Sequence, residues 1–276
     1  ITDRNALTLG TLATGNLTVI STGALNLGTG TVTGTLTASN FNGGNVSETA
    51  GGLVITGTAA VTAARLTPNT LEVASGAVLQ LTAQATGGSL QVDAGGMFRQ
   101  MNTVSLSFTS VSILTGGVIT HAANTTARTS VVNLSVSGNF DLQPGAVIAA
   151  GGLGYAGGNG DVNGFGPGPG VANNVGGGGA HGGAGGRSNN GAAGGSAYDS
   201  ATNPTDLGSG GAGSYSNGIG GAGGGAVLIT VGGIFSLNGQ INANGGNGVV
   251  SAQTYGAGGG AGGAVNITAA TFNGTG

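Results

Sequence analysis

Leu134-Ser135-Val136-Ser137-Gly138-Asn139-Phe140-Asp141-Leu142 and Ile229-Thr230-Val231-Gly232-Gly233-Ile234-Phe235-Ser236-Leu237 are two copies of one phrase. Each sets apolar side chains two apart, breaks at small residues and resumes the alternation at a phenylalanine. A period of two sends successive side chains to opposite faces of an extended chain, so the phrase reads as short half-buried strands joined at a corner. The likeness continues through Gly145, Val147, Ala149 and Gly151-Gly152 against Gly239, Ile241, Ala243 and Gly245-Gly246, with one residue deleted. A third copy opens at Gly263-Ala264-Val265-Asn266-Ile267-Thr268, matching Gly225-Ala226-Val227-Leu228-Ile229-Thr230. A unit that recurs in this way needs its neighbours to bury its apolar face, which favours stacked turns over a meander of hairpins.

The same grammar runs toward the amino terminus. Leu7-Thr8-Leu9, Leu17-Thr18-Val19, Leu25-Asn26-Leu27, Leu71-Glu72-Val73, Leu79-Gln80-Leu81, Leu90-Gln91-Val92 and Val104-Ser105-Leu106 are apolar couplets, each followed within a few residues by Gly, Asn or Ser. Gly51-Gly52-Leu53-Val54-Ile55-Thr56, Gly87-Gly88-Ser89-Leu90-Gln91-Val92 and Gly116-Gly117-Val118-Ile119-Thr120 repeat a small-residue corner followed by an alternation. The expectation is an all-β chain folded as a parallel β-helix, a solenoid, with Gly supplying positive φ at corners and Asn, Thr and Ser facing water. Some ten coils at about 4.8 Å each would give a rod on the order of 50 Å.

Glycine divides this chain. Of 65 glycines in 276 residues, 19 fall in residues 1–144 and 46 in residues 145–276. The predicted organisation is β-helix coils over 1–152, a glycine-rich insertion over 153–225, a coil over 226–246, a short glycine-rich insertion over 247–263 and the start of a further coil over 264–276. Counting by threes, positions 176, 179, 182 and 185 are all glycine, and 177, 183 and 186 follow suit with Ala180 between; Gly208 and Gly211 lie beside Gly210 and Gly213, with Ser209, Ala212 and Tyr215 on the third edge. Two bare edges would let three-residue-per-turn polyproline-II helices pack backbone to backbone, and mobile loops are the competing reading. A collagen-like reading fails because the triplet register breaks at Gly164-Phe165-Gly166-Pro167-Gly168-Pro169-Gly170.

Composition removes several function classes. Charged residues make up 5% of the chain, lysine is absent, and five scattered arginines cannot form the basic stripe that nucleic acid requires. There is no cysteine, hence neither a disulfide nor a thiolate metal site. No apolar run reaches membrane-spanning length, and Ile1-Thr2-Asp3-Arg4 does not open like a signal peptide, so a mature chain or a fragment of a longer one is expected. The acids Asp3, Glu48, Glu72, Asp93, Asp141, Asp161, Asp199 and Asp206 are dispersed; one-coil spacing could stack Glu72 beside Asp93, which reads as a solvated face, so a carbohydrate-active enzyme is disfavoured. Gly157-Gly158-Asn159-Gly160-Asp161 is one residue short of a calcium repeat and does not recur in tandem. His121 and His181 stand sixty apart, so no metal or cofactor site is expected. The threonine couplets Thr31-Val32-Thr33 and Thr35-Leu36-Thr37 raise an ice-binding reading that strand-favouring threonine explains more simply. Asn-x-Ser/Thr sequons at Asn16, Asn45, Asn124, Asn133, Asn266 and Asn273 follow from Asn and Thr abundance.

Gly15-Asn16-Leu17-Thr18-Val19 with Gly23-Ala24-Leu25-Asn26-Leu27, and the couplet-then-glycine pattern through residue 150, resemble the β-helical repeats of filamentous-haemagglutinin-like bacterial surface exoproteins. Ile241-Asn242-Ala243-Asn244-Gly245-Gly246-Asn247-Gly248 leading into Gly258-Gly259-Gly260-Ala261-Gly262-Gly263 resembles glycine-rich surface-protein repeats. The resemblance implies an extracellular or cell-surface stalk or adhesive surface and carries over no catalytic residue. The expected function is that of a non-enzymatic structural protein, a stalk or filament subunit that assembles with itself or belongs to a longer chain. The alternative is a bacterial or phage adhesin binding a receptor or surface glycan through its glycine-rich loops. Tyr155, His181, Tyr198, Tyr215 and Tyr255, which interrupt those loops, are the candidate ligand contacts.

Overall fold

The computed structural model describes residues 1–32, 36–40, 45–47, 53–55, 58–62, 65–67, 70–250 and 255–276. Among them the secondary structure is entirely β, with no helix. As far as Met97–Gln100, every third strand among the described residues returns to the same sheet. The first sheet takes Thr2–Asp3, Leu17–Ser21, Leu36–Asn40, Thr58–Thr62, Val78–Leu81, Met97–Gln100, Val118–His121, Val147–Ala149 and Gln240–Asn242 in that order, each parallel to the last. The second takes Leu7–Thr8, Leu25–Asn26, Asn45–Ser47, Arg65–Thr67 and Gln84–Ala85. The third includes Thr11–Thr14, Thr29–Val32, Leu53–Ile55, Thr70–Val73, Ser89–Val92, Ser110–Ile113, Phe140–Leu142 and Val227–Leu237. Thr33, Thr35, Glu48, Gly51, Gly52 and Thr56 lie outside the described residues.

Register turns the apolar alternation into columns. Leu79 pairs Phe98, Phe98 pairs Ile119, Ile119 pairs Ile148, and Ile148 pairs Ile241. On the third sheet Leu71, Leu90, Val111, Phe140 and Phe235 follow one another. Apart from Ile241 at the end of the first column, their side chains are buried almost completely; Phe140 stacks on Phe235 with ring centroids 4.8 Å apart, and Ile241 and Leu237 pack against the core partly exposed. Each fully buried aliphatic or aromatic side chain contributes about 1.5–3 kcal/mol, and the alternate positions Gln80, Arg99, Glu72, Gln91 and Ser112 stay outside the core.

One corner is a stacked turn. Ala77, Gly96, Gly117 and Ala146 each donate an N–H to the carbonyl three residues back, at 2.8 to 3.0 Å. The third residue of these turns is Gly76, Gly95, Gly116 or Gly145, with φ between 74° and 83°. Pro144 occupies the second position of the last turn, the arrangement a type II turn favours. The turns also bond to one another, Gly95 N–H to Gly116 O at 3.0 Å and Gly116 N–H to Gly145 O at 3.1 Å.

Past residue 100 the second and third sheets run together. Leu106–Phe108 pairs Val132–Val136, which pairs the front of Val227–Leu237, while Phe140–Leu142 pairs its back. Val227–Leu237 is one continuous strand, pairing Val265–Asn273 with a register shift between Val231 and Ile234, at Gly232-Gly233. The sequence correspondence holds as far as Leu142 against Leu237, and then the structure corrects it. Val147 pairs Gln240 and Ile148 pairs Ile241, so the second copy is shorter by two residues rather than one. The inward residue of Val147–Ala149 is Ile148, and its burial sets the register.

The glycine-rich segments lie mostly outside any sheet, yet many of their amides are bonded. Along 208–213 the donors step round in threes. Gly208 and Gly211 donate to Gly224 and Gly221, Ser209 and Ala212 to Ala180 and Gly177, and Gly210 and Gly213 to Phe165 and Val162. The carbonyls of the same thread accept from Tyr155, Ala261, Gly170, Gly158 and Gly258. One backbone thread thus bonds to neighbours on every side, its donors turning with a period of three. A Cβ on Gly210 would collide with the carbonyl of Ala156, and one on Gly211 with that of Gly258; Ser209 and Ala212 carry the side chains this thread can hold, both fully buried.

Candidate functional site

The thread 208–213 has a near end and a far end. Gly208 lies beside Gly224, close to Ala226, whose carbonyl accepts from Val132 in the sheet; Gly213 lies beside Val162 and Gly160, away from it. The five candidate contact residues divide between these ends.

Tyr155, His181 and Tyr198 gather at the near end, where a loop over 122–131 meets the threads. Buried polar groups hold that loop. Asn124 Nδ2 donates to Ser130 O and Leu153 O, its Oδ1 accepts from Thr129 and Ser130, and Ser130 Oγ donates to Gln100 O. The loop presents Arg128, which donates to Thr205 O at 3.1 Å and lies 3.8 Å from Asp206. Tyr155 Oη donates to Asp206 at 3.3 Å, and burial followed by the Asp206 charge pushes its phenol up to about 12. Tyr198 Oη donates to Leu207 O and accepts from Ser209 Oγ, and burial raises its pKa further still. His181 Nε2 sits 3.0 Å from Asp199 Oδ2. Burial alone would raise the Asp199 carboxyl. The N–H groups of Asp206, Ser200 and Thr205, with His181, outweigh it and hold the group at about 2. Tyr155 and His181 are 7% and 8% exposed, and their polar ends face these internal partners. The cluster fastens the loop over 199–207 and the threads to the sheets.

The far end is built differently. Ser214 and Gly218 pair across a tight turn at Ser216 and Asn217, both at positive φ, while Ile219 bridges Asn159 and Val249. Tyr215 is 51% exposed and meets Tyr255 edge to face at 5.6 Å; Val162, Ile219, Val249 and Val250 are exposed as well. Beside Tyr255 lies a cavity of about 390 Å³ lined by Val175, Gly176, Ser188, Asn189, Asn190, Tyr255, Gly256 and Ala257. Asn189 and Asn190 sit at the tip of a hairpin closed by Ser188 N–H to Ala192 O at 3.0 Å and Ala192 N–H to Ser188 Oγ at 3.0 Å. Composition alone marked the tyrosines; the Asn189-Asn190 pair is the part of this end that the sequence reading passed over, although an Asn-Asn-Gly run between glycine rows is a turn signal.

Other titratable groups follow the scaffold. Glu72 pairs Gln91, whose Nε2 donates to Asp93 at 2.8 Å, and partial burial with the Asp93 charge raises the Glu72 carboxyl. Asp161 caps the Asn174 N–H at 2.8 Å. His121 is 1% exposed, its Nδ1 bonds Ala122 O at 2.7 Å, and burial lowers its pKa to about 4. Among the described residues no three His, Cys, Asp or Glu side chains are grouped as metal ligands, and no helix is long and apolar enough to cross a membrane. Comparison with family models, with curated proteins and with solved structures finds no match to this chain.

Proposed function

We propose that this chain is a parallel β-helix carrying a packed bundle of polyproline-II-type threads, and that it serves as a non-enzymatic structural unit, a stalk or filament subunit at the cell surface or outside the cell. The observation that carries the reading is that, among the described residues, every ladder of the three large sheets between Thr2 and Asn273 is parallel. Strand pairing repeated along one direction gives lengthwise stiffness, and it does not depend on side-chain reactivity. Val265–Asn273 pairs Val227–Leu237 on one side, and among the described residues no strand pairs its other side. Phe272, 56% exposed, continues the column of Phe140 and Phe235 at that face. A second copy, or more of a longer chain, would complete the pairing. Negative-stain microscopy of the purified chain over rising concentration tests the self-assembly reading. End-to-end rods that disappear in Phe272→Lys are expected; particles that stay single at every concentration would contradict it.

A second reading, an adhesin contacting a receptor or glycan, is favoured by one observation. Tyr215 and Tyr255 pair at the far end of the threads beside exposed apolar side chains. Tyrosine presented on a rigid backbone offers a large contact area at small entropic cost. Adhesion to host or bacterial cells that is lost in Tyr215→Ser would support that reading.

A further inference from the structure

We propose that the cavity between the Ser188–Ala192 hairpin and Tyr255 is a binding site for a neutral saccharide. The inference rests on the adhesin reading above and gives it a ligand class and an address. About 390 Å³ is room for one or two sugar rings. The lining offers Ser188, Asn189, Asn190 and Tyr255 with the backbone of Gly176 and Gly256, and among the described residues it contains no charged side chain. Amides and hydroxyls each donate and accept, which matches the hydroxyl groups of a sugar, whose every oxygen does both. The ring of Tyr255, braced edge to face by Tyr215, supplies a surface on which the apolar face of a pyranose can lie.

Two features distinguish this cavity from the one at the near end. The side-chain amides of Asn189 and Asn190 make no hydrogen bond among the described residues, although the hairpin that carries them is closed by four bonds, from Ser188, Gly191, Ala192 and Arg187. The backbone that carries them is therefore held, while their amides, exposed to water, are open to an incoming group. The cavity at the near end, of about 200 Å³, is lined by Arg128, Tyr198, Asp199, Thr205 and Asp206, whose charges already face one another. Arg187, the nearest cation in sequence, directs Nε to Gly191 O at 3.3 Å, so the site has no cation aimed into it for a sialic or uronic acid.

The test is saturation-transfer NMR on the intact chain with glucose, galactose, mannose, N-acetylglucosamine, lactose and sialyllactose. Transfer from at least one neutral sugar is expected. Binding should weaken about tenfold in the double variant Asn189→Ala/Asn190→Ala, which loses two or more hydrogen bonds. Sialyllactose should bind no more tightly than lactose. Both asparagines are exposed, so an unchanged circular dichroism spectrum and melting curve will show that the variant folds. Absence of transfer from every neutral sugar, a preference for sialyllactose, or undiminished binding by the double variant would each overturn the proposal. Cell adhesion measured in parallel separates the two readings. Adhesion lost in Tyr215→Ser but intact in the asparagine variant would refute the saccharide cavity while leaving the adhesin reading in place.

Discussion

Gly210 and Gly182 are both glycines of the threads, and they should respond oppositely to a methyl group. A Cβ at Gly210 meets the Ala156 carbonyl, whereas nothing lies within 4 Å of the Cβ position at Gly182. Gly210→Ala should therefore cost about 1–3 kcal/mol by overpacking, and Gly182→Ala should leave the melting temperature unchanged or raise it, since alanine has less freedom to lose on folding. Thermal unfolding of the two variants checks this. Titration gives a second residue-scale expectation with two legs. His121, lowered to about 4 by burial, must take up a proton on unfolding below its ordinary pKa of 6.5. Stability should fall as pH drops from about 6.5 to 4, by about 3 kcal/mol, and His121→Leu should flatten that leg. Asp199, held at about 2, contributes stability that is complete above its ordinary pKa of 3.8 and is lost as pH falls toward 2. Asp199→Asn should remove this second, more acidic leg, which amide exchange over 199–207 reads directly.

At the scale of elements, the stacked turns through Gly76, Gly95, Gly116 and Gly145 make a prediction of their own. Gly116 has φ 83°, so Gly116→Ala should cost about 1–2 kcal/mol although no atom approaches its Cβ position closer than 3.6 Å. Denaturant unfolding would show it as a lower midpoint at constant slope. These corners and the strands between them were legible from apolar couplets such as Leu79-Gln80-Leu81, because burying one face of a strand forces a period of two. The slip at Val147 was not legible. Val147, Ile148 and Ala149 are all apolar, so alternation cannot say which of them points inward, and the partners Ile119 and Ile241 decide it. The fusion of two sheets through Gly232-Gly233 was hidden for a related reason, since a glycine pair reads as a break whether the strand ends there or bends. In the threads, the spacing of Gly208, Ser209, Gly210, Gly211, Ala212 and Gly213 shows which edges are bare. It does not show which of six distant segments bonds to each edge, because the bonds run through backbone atoms that every residue shares. The two groups of candidate residues, one internal and one exposed, follow from that hidden arrangement of threads.

Across the whole molecule, two modes of backbone bonding support each other: parallel strands with apolar side chains between them, and glycine threads in contact through their peptide groups. The 122–131 loop joins the two through Asn124, Ser130 and Arg128. Because so little of the thread array is apolar, its order should depend on peptide hydrogen bonds more than on hydrophobic burial. The most direct measurement is native-state amide hydrogen exchange resolved at Gly208, Ser209, Gly210, Gly211, Ala212 and Gly213. If this thread bonds to its neighbours on all sides, these amides will exchange as slowly as those of Leu79, Phe98 and Ile119 in the first sheet, with no alternation between protected and unprotected positions. Exchange at the rate of an unstructured glycine peptide, while the sheet amides stay protected, would contradict the account.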